Sequence, residues 1–205
     1  MSADALSGGF ADPVFQSQAV FRALLGVLSR PGTIARLPDH VRPPPPLKPS
    51  TGSVLCALAD ADTAVFVDCA AEHHDQIATW IGFHSGARLA IDPAEATFVV
   101  IADGRTMPAL TRFRQGTPEY PDRSATVIVQ LDDFSGATPL VLEGPGIPGT
   151  IALNPRPLPD GLVRQLAMNR RLFPRGVDIV LAAPDAIAGL PRTTRVLEAG
   201  DAGCT

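Results

Sequence analysis

Thr97-Phe98-Val99-Val100-Ile101-Ala102 is an uncharged run whose centre is four consecutive large apolar residues. Six residues make a short strand more readily than a helix, and valine and isoleucine pack well on a pleated surface. A strand with one wet face alternates apolar and polar residues, whereas a strand covered on both faces need not. The run therefore predicts a central strand with a layer packed on each side. Ala125 to Leu131 (ATVIVQL) and Val177 to Ala182 give the same signal. Shorter strands are predicted at Thr33–Leu37, Ala64–Asp68 and Pro139–Leu142, and Thr150–Leu153 reads as extended.

Helical stretches lie between them. The first has Asp12 as cap, Pro13 at the first helical position, and apolar residues at Val14, Phe21, Leu24, Leu25 and Leu28. It stops at Ser29-Arg30-Pro31-Gly32. Ser53–Ala59, Glu72–Phe83, Pro108–Arg114 and Leu158–Leu172 follow. In the second of these, Ile77, Trp80, Ile81 and His84 fall on or near one face. Interleaved strands and helices predict an α/β fold, a three-layer sandwich around a mixed central sheet. The strands at 125–131 and 139–142 are close enough in sequence to be expected as an antiparallel pair. One domain over 1–205 is expected, with a proline-rich loop at 38–50, extended over Pro43–Pro46, and a flexible tail at 199–205.

The chain is 45% hydrophobic and 19% charged, as globular domains are, with a formal net charge of −4. That balance provides no global basic field for nucleic acid or anionic lipid. No run is apolar enough to span a bilayer, and the first residues lack the basic and apolar regions of a signal peptide. Cys56, Cys69 and Cys204 are odd in number and scattered, which suits a reducing, cytoplasmic location. Lys48 is the only lysine, so a Schiff-base mechanism would have to use it or the α-amine.

Most motifs read as structure. Gly144-Pro145-Gly146-Ile147-Pro148-Gly149 has the letters of a dinucleotide fingerprint, but it runs on into a strand and its prolines remove amide donors, so it reads as a tight turn. Adjacent His73 and His74 would point about 100° apart on a helix, poor geometry for one metal. No metal site is expected, and no catalytic residue is assigned. Asp60 and Thr63 read as a turn with some capacity for a ligand, and His84 as a helix-end residue. Pro191-Arg192-Thr193-Thr194-Arg195 is the strongest polar constellation, because arginine forks and hydroxyls suit phosphate, phosphonate or carboxylate. If extended, it would put Arg192 and Thr194 on one face. The alternative is a charged edge strand.

Taken in order, several segments resemble the PhnH family of the bacterial carbon–phosphorus lyase system. They are Phe21-Arg22 with Ser29-Arg30-Pro31-Gly32, Leu58-Ala59-Asp60 with Asp62-Thr63, and Phe83-His84. Gly144-Pro145-Gly146-Ile147, Phe173-Pro174-Arg175-Gly176-Val177-Asp178 and Pro191-Arg192-Thr193-Thr194 complete the set. The resemblance implies a fold similar to the pyridoxal-phosphate transferases without their cofactor. It also implies a homodimer, and an assembly with the G, I and J subunits that, with an ABC-type L subunit, makes ribose 1-methylphosphonate 5-triphosphate from MgATP and methylphosphonate. It supplies no catalytic residues. Arg30, Asp60, Thr63, His84, Arg192, Thr193 and Thr194 are therefore candidates, from their own chemistry, for binding a ligand or a partner. The competing reading is an independent, cofactor-free enzyme with a pocket near His84 and Arg192. Neither reading uses nucleic acid or membrane.

No cofactor is expected, because a lysine walled by prolines has little to desolvate its amine. Pyridoxal phosphate added to the purified protein should therefore give no internal-aldimine absorbance. A borohydride-reducible adduct on Lys48 would contradict this.

Overall fold

The computed structural model describes residues 7–38 and 41–197; Cys204 and the tail at 199–205 lie outside them. Helix α1 (Pro13–Ser29) opens the fold, with Asp12 accepting a hydrogen bond from the Phe15 amide. Then come β1 (Ile34–Arg36), α2 (Pro49–Leu58), β2 (Ala64–Asp68), α3 (His74–Ser85) and β3 (Arg88–Leu89). The chain continues through β4 (Phe98–Ile101), β5 (Thr126–Gln130), β6 (Leu140–Glu143) and β7 (Ile151–Leu153). It closes with α4 (Leu162–Arg171), β8 (Asp178–Ala183), β9 (Ala186–Leu190) and β10 (Arg195–Leu197).

Seven strands form one sheet in the order β1-β9-β8-β5-β4-β2-β3. The stretch from β8 to β3 is parallel, while β9 and β1 are added antiparallel. The sheet is thus mixed, as predicted, but through a different pair. β5 is flanked by β4 and β8, both parallel to it, and β6 belongs to a second sheet ordered β10-β6-β7. Proximity in sequence misled because 126–130 is apolar on both faces and belongs in the centre.

The two faces of the large sheet build two cores. Val99, Ile101, Val127, Val129, Ile179 and Leu181 face a core shared with α4 and the small sheet. Their neighbours Phe98, Val100, Ile128, Val180 and Ala182 face a core shared with α1, α2 and α3. This is the side-chain alternation of a strand with both sides apolar.

Several local expectations shift. The proline loop ends earlier than predicted, since α2 starts at Pro49, and Pro44–Leu47 close a turn instead of staying extended. Lys48 stands at the start of α2 and bonds the Leu131 carbonyl and Asp132. The predicted helix at 108–114 is a 3₁₀ turn over Leu110–Arg112. The buried stripe of α1 is Val20, Leu24 and Val27, while Val14, Phe21 and Leu25 face outward.

β9, which sequence reading missed, shows why its signal was weak. A Cβ on Gly189 would lie 2.7 Å from the Val27 carbonyl oxygen, so α1 crosses the strand where only a glycine leaves room. The residue that removes the strand's apolar signature is the one the packing requires. Gly189→Ala should destabilise the protein by about 1–3 kcal/mol through overpacking. Gly82→Ala, on the outer face of α3 with no neighbour closer than 3.9 Å, should stabilise it by about 0.5–1 kcal/mol. Urea unfolding of both variants measures the contrast.

Candidate functional site

A dense cluster of polar contacts gathers at the N-terminal end of β8. Pro191–Thr194 is a turn leading from β9 into β10, with the Thr194 amide bonded to the Pro191 carbonyl. It is not an extended segment, so the expected facing of Arg192 and Thr194 does not occur. The turn folds the Arg192 side chain back over the start of β8. Its Nε and one Nη meet the two carboxylate oxygens of Asp178 at 3.1 and 2.6 Å. The same Nη reaches Ser124 Oγ at 2.5 Å, and the other donates to the Pro121 and Pro174 carbonyls at 2.9 and 3.1 Å. Asp178 also accepts the Arg192 amide at 2.8 Å. A guanidinium has five N–H donors, and all five are engaged. With a side chain only 13% exposed, Arg192 has no donor left for a ligand. It is a clasp holding the 121–124 segment, the 173–178 segment and the β9–β10 turn together.

The other candidates do not converge with Arg192 on one site. The Thr63 hydroxyl bonds the amide and carbonyl of Asp60, and the Asp60 carboxylate caps the Asp62 amide, which makes a self-contained turn before β2. His84, near the end of α3, meets the Ser7 carbonyl at 3.2 Å, and Trp80 donates to the same oxygen. Together they pin the N-terminal segment. Strands β2 and β8 are three sheet positions apart, roughly 14 Å at the usual strand spacing. Arg30 is exposed at the end of α1. Thr193 is half-buried, and its carbonyl oxygen would lie 3.2 Å from a Cβ on Gly144. The Thr194 hydroxyl is buried and without a partner.

Two cavities open on the side of the sheet that carries α4. One, about 130 Å³, lies between the 3₁₀ turn and α4 and is lined by Ala109, Leu110, Gln165, Met168 and Leu172 among others. The other, about 400 Å³, lies at the start of α4 beside Gly136, Thr138, Arg156 and Asp160. Arg156 grips Asp133 with both carboxylate oxygens between 2.6 and 2.9 Å. Hydrogen bonds from Arg156 and Ser135 hold the Asp133 carboxyl well below the usual carboxylate range. Neither cavity is lined by His84 or Arg192. Burial pushes the Cys56 thiol up to about 12, and burial with the Asp68 charge raises Cys69, so both are poor nucleophiles. Among the described residues no group of three or more His, Cys, Asp and Glu could hold a metal ion.

The family model described as bacterial phosphonate metabolism protein (PhnH) matches residues 8–197. The chain belongs to the PhnH family. It is 43% identical over 190 residues to the alpha-D-ribose 1-methylphosphonate 5-triphosphate synthase subunit PhnH of Rhizobium meliloti (strain 1021), covering 93% of this chain and 94% of that protein. It is 30% identical over 181 residues to the C-P lyase subunit protein HtxG of Stutzerimonas stutzeri, covering 88% and 86%.

Several of the segments that resemble the PhnH family meet one another in this structure. A Cβ on Gly146 would collide with the Ser29 carbonyl, and Gly144 lies against Thr193, so the 144–149 loop fits between the end of α1 and the β9–β10 turn. The Phe173–Asp178 segment meets the Pro191–Thr194 segment through the Arg192 clasp. Within the former, Asn169 holds Val177 by both amide and carbonyl at 2.9 Å. Asp178, Ser124 and Asn169 were missed as partners because their pairings link residues far apart in sequence or across a turn.

Arg192→Ala should cost about 3 kcal/mol, the lower end for breaking a buried ion pair, since Asp178 keeps 28% of its surface. Thermal or urea melting of the isolated variant measures it. A variant as stable as wild type would return Arg192 to the list of ligand contacts.

Proposed function

We propose that this chain is the H-type subunit of a carbon–phosphorus lyase assembly in organic phosphonate breakdown. It supports the formation of ribose 1-methylphosphonate 5-triphosphate from MgATP and methylphosphonate and performs no chemistry alone. The observation that carries this reading is the 43% identity to a subunit of that synthase across 93% of the chain. The site geometry is in keeping with it. The strongest cation of the sequence is spent on Asp178, Ser124 and two carbonyls, and the described thiols are held protonated.

In this reading the fold is of the pyridoxal-phosphate transferase type but binds no pyridoxal phosphate. Lys48, the one side-chain amine, is tied to the Leu131 carbonyl and to Asp132 at the end of β5. The chain works in the cytoplasm as a homodimer joined to the G, I and J subunits. An outward stripe on α1 supports self-association: Val14, Phe21 and Leu25 recur on one side of the helix and are 73%, 44% and 50% exposed. Apolar side chains at such spacing suit a second helix. In the described residues no helix is long and apolar enough to cross a membrane.

Deleting the gene should abolish growth on methylphosphonate as sole phosphorus source, with growth on inorganic phosphate unchanged. The purified chain should turn over neither MgATP nor methylphosphonate. Robust turnover by the chain alone would reject the subunit reading in favour of an independent enzyme.

A further inference from the structure

The 130 Å³ cavity between the 3₁₀ turn and α4 has an unusual setting. Gln165 and Met168 on α4, and Leu172 just past its end, line its wall together with Ala109 and Leu110 at the 3₁₀ turn. The polar groups of that wall are largely committed to the protein itself. Gln165 Oε1 takes the Leu110 amide at 2.9 Å, and the Gln115 amide nitrogen serves the Leu110 and Phe113 carbonyls at 2.7 Å each. What remains for an occupant is mostly hydrocarbon, with one buried acceptor, Gln115 Oε1, left without a partner. An apolar cavity of about 150 Å³ accommodates a benzene ring, so this one accepts a single branched or aromatic side chain.

The rim has the opposite character. Arg112 and Arg114 are exposed on the turn side, and Arg164 and Arg171 are four residues before and three after Met168 on the helix. None of the four takes part in an ion pair among the described residues. The walling segments, residues 108–124 and 158–176, carry seven arginines against three acidic residues in a chain of net charge −4. Positive charge is thus concentrated in the two segments that wall a hole one side chain wide, with Arg112, Arg114, Arg164 and Arg171 each next in sequence to a lining residue. A small anion would use the arginines and leave the hole empty, and a lone apolar ligand would have no use for the arginines.

We propose that this face docks an acidic segment of another subunit of the assembly, which inserts one large apolar side chain between Ala109, Leu110, Met168 and Leu172 while its carboxylates meet Arg112, Arg114, Arg164 and Arg171. The inference rests on the reading of this chain as a subunit. Arginine rims steer and orient such an encounter, and a central apolar anchor slows its release.

The test is co-expression with the other lyase subunits and co-purification through a tag on this chain. Two variants probe the face: Arg112→Glu with Arg171→Glu, which alters exposed side chains, and Ala109→Trp, which plugs the cavity from an exposed position. Each should keep the wild-type melting temperature and weaken partner retention roughly tenfold or more. Raising the salt should release the partners from wild type, as screening of exposed charges requires. If wild type retains its partners and the folded charge-reversal variant retains them equally, the docking proposal is overturned and the subunit reading stands. If wild type retains none, both fall. If the variant keeps its partners but loses co-purifying nucleic acid, the arginines belong to a phosphate backbone and the proposal is likewise overturned.

Discussion

Everything in this fold follows from a sheet that must be dry on both faces. Parallel neighbours cannot be joined by a tight turn, so each pair among β2, β4, β5 and β8 needs a crossover that covers the sheet. Apolar surface has to cover both sides, and it does: α3 from the β2–β4 crossover joins α1 and α2 on one face, and α4 with β6 and β7 from the β5–β8 crossover covers the other. The fully buried residues of β4 are the consequence. A charge placed there would have no water and no partner on either side.

Such a sheet leaves its polar business to the strand ends, and there the chain spends its charges on itself. At one end of the parallel strands, Arg192 binds three segments through five donors. At the other end, buried Gln130 takes the Lys48 amide at 2.6 Å and donates to the Pro46 and Ala102 carbonyls, which anchors the proline loop. Most of the polar groups at both ends are thereby paired within the chain, the buried Thr194 hydroxyl excepted. Carboxyl ends of parallel strands are the customary ligand position in open α/β sheets, and here Lys48, Gln130 and Asp132 occupy part of it.

The central strands and most helices were legible because burial on both faces leaves continuous apolar runs, and amphipathic helices leave periodic ones. Topology was less legible. Which strands pair depends on contacts between residues far apart in the chain, and β9 hides behind small residues that accommodate α1. The candidate residues were legible as chemistry but not as roles. Arginine beside hydroxyls suits an anion anywhere, and only the position of Asp178, fourteen residues earlier, shows that the anion is internal. On α1 the apolar spacing reports an apolar face. It does not report whether that face meets the molecule's own sheet or another molecule.

That ambiguity becomes useful once two outward features are seen together. The Val14, Phe21 and Leu25 stripe belongs to the helix layer on one face of the sheet, and the arginine-rimmed cavity to the α4 layer on the opposite face. Surfaces on opposite layers do not compete for a partner. A pair of copies joined through α1 would leave both α4 faces open, pointing away from the shared helices. The chemistry differs in the same sense. The α1 stripe carries three exposed apolar side chains, as suits a like partner with the same surface. The α4 face combines one small apolar hole with unpaired positive charge, and two copies of it would repel. It suits an unlike, acidic partner. One chain can thus pair with itself through one layer and with a different subunit through the other.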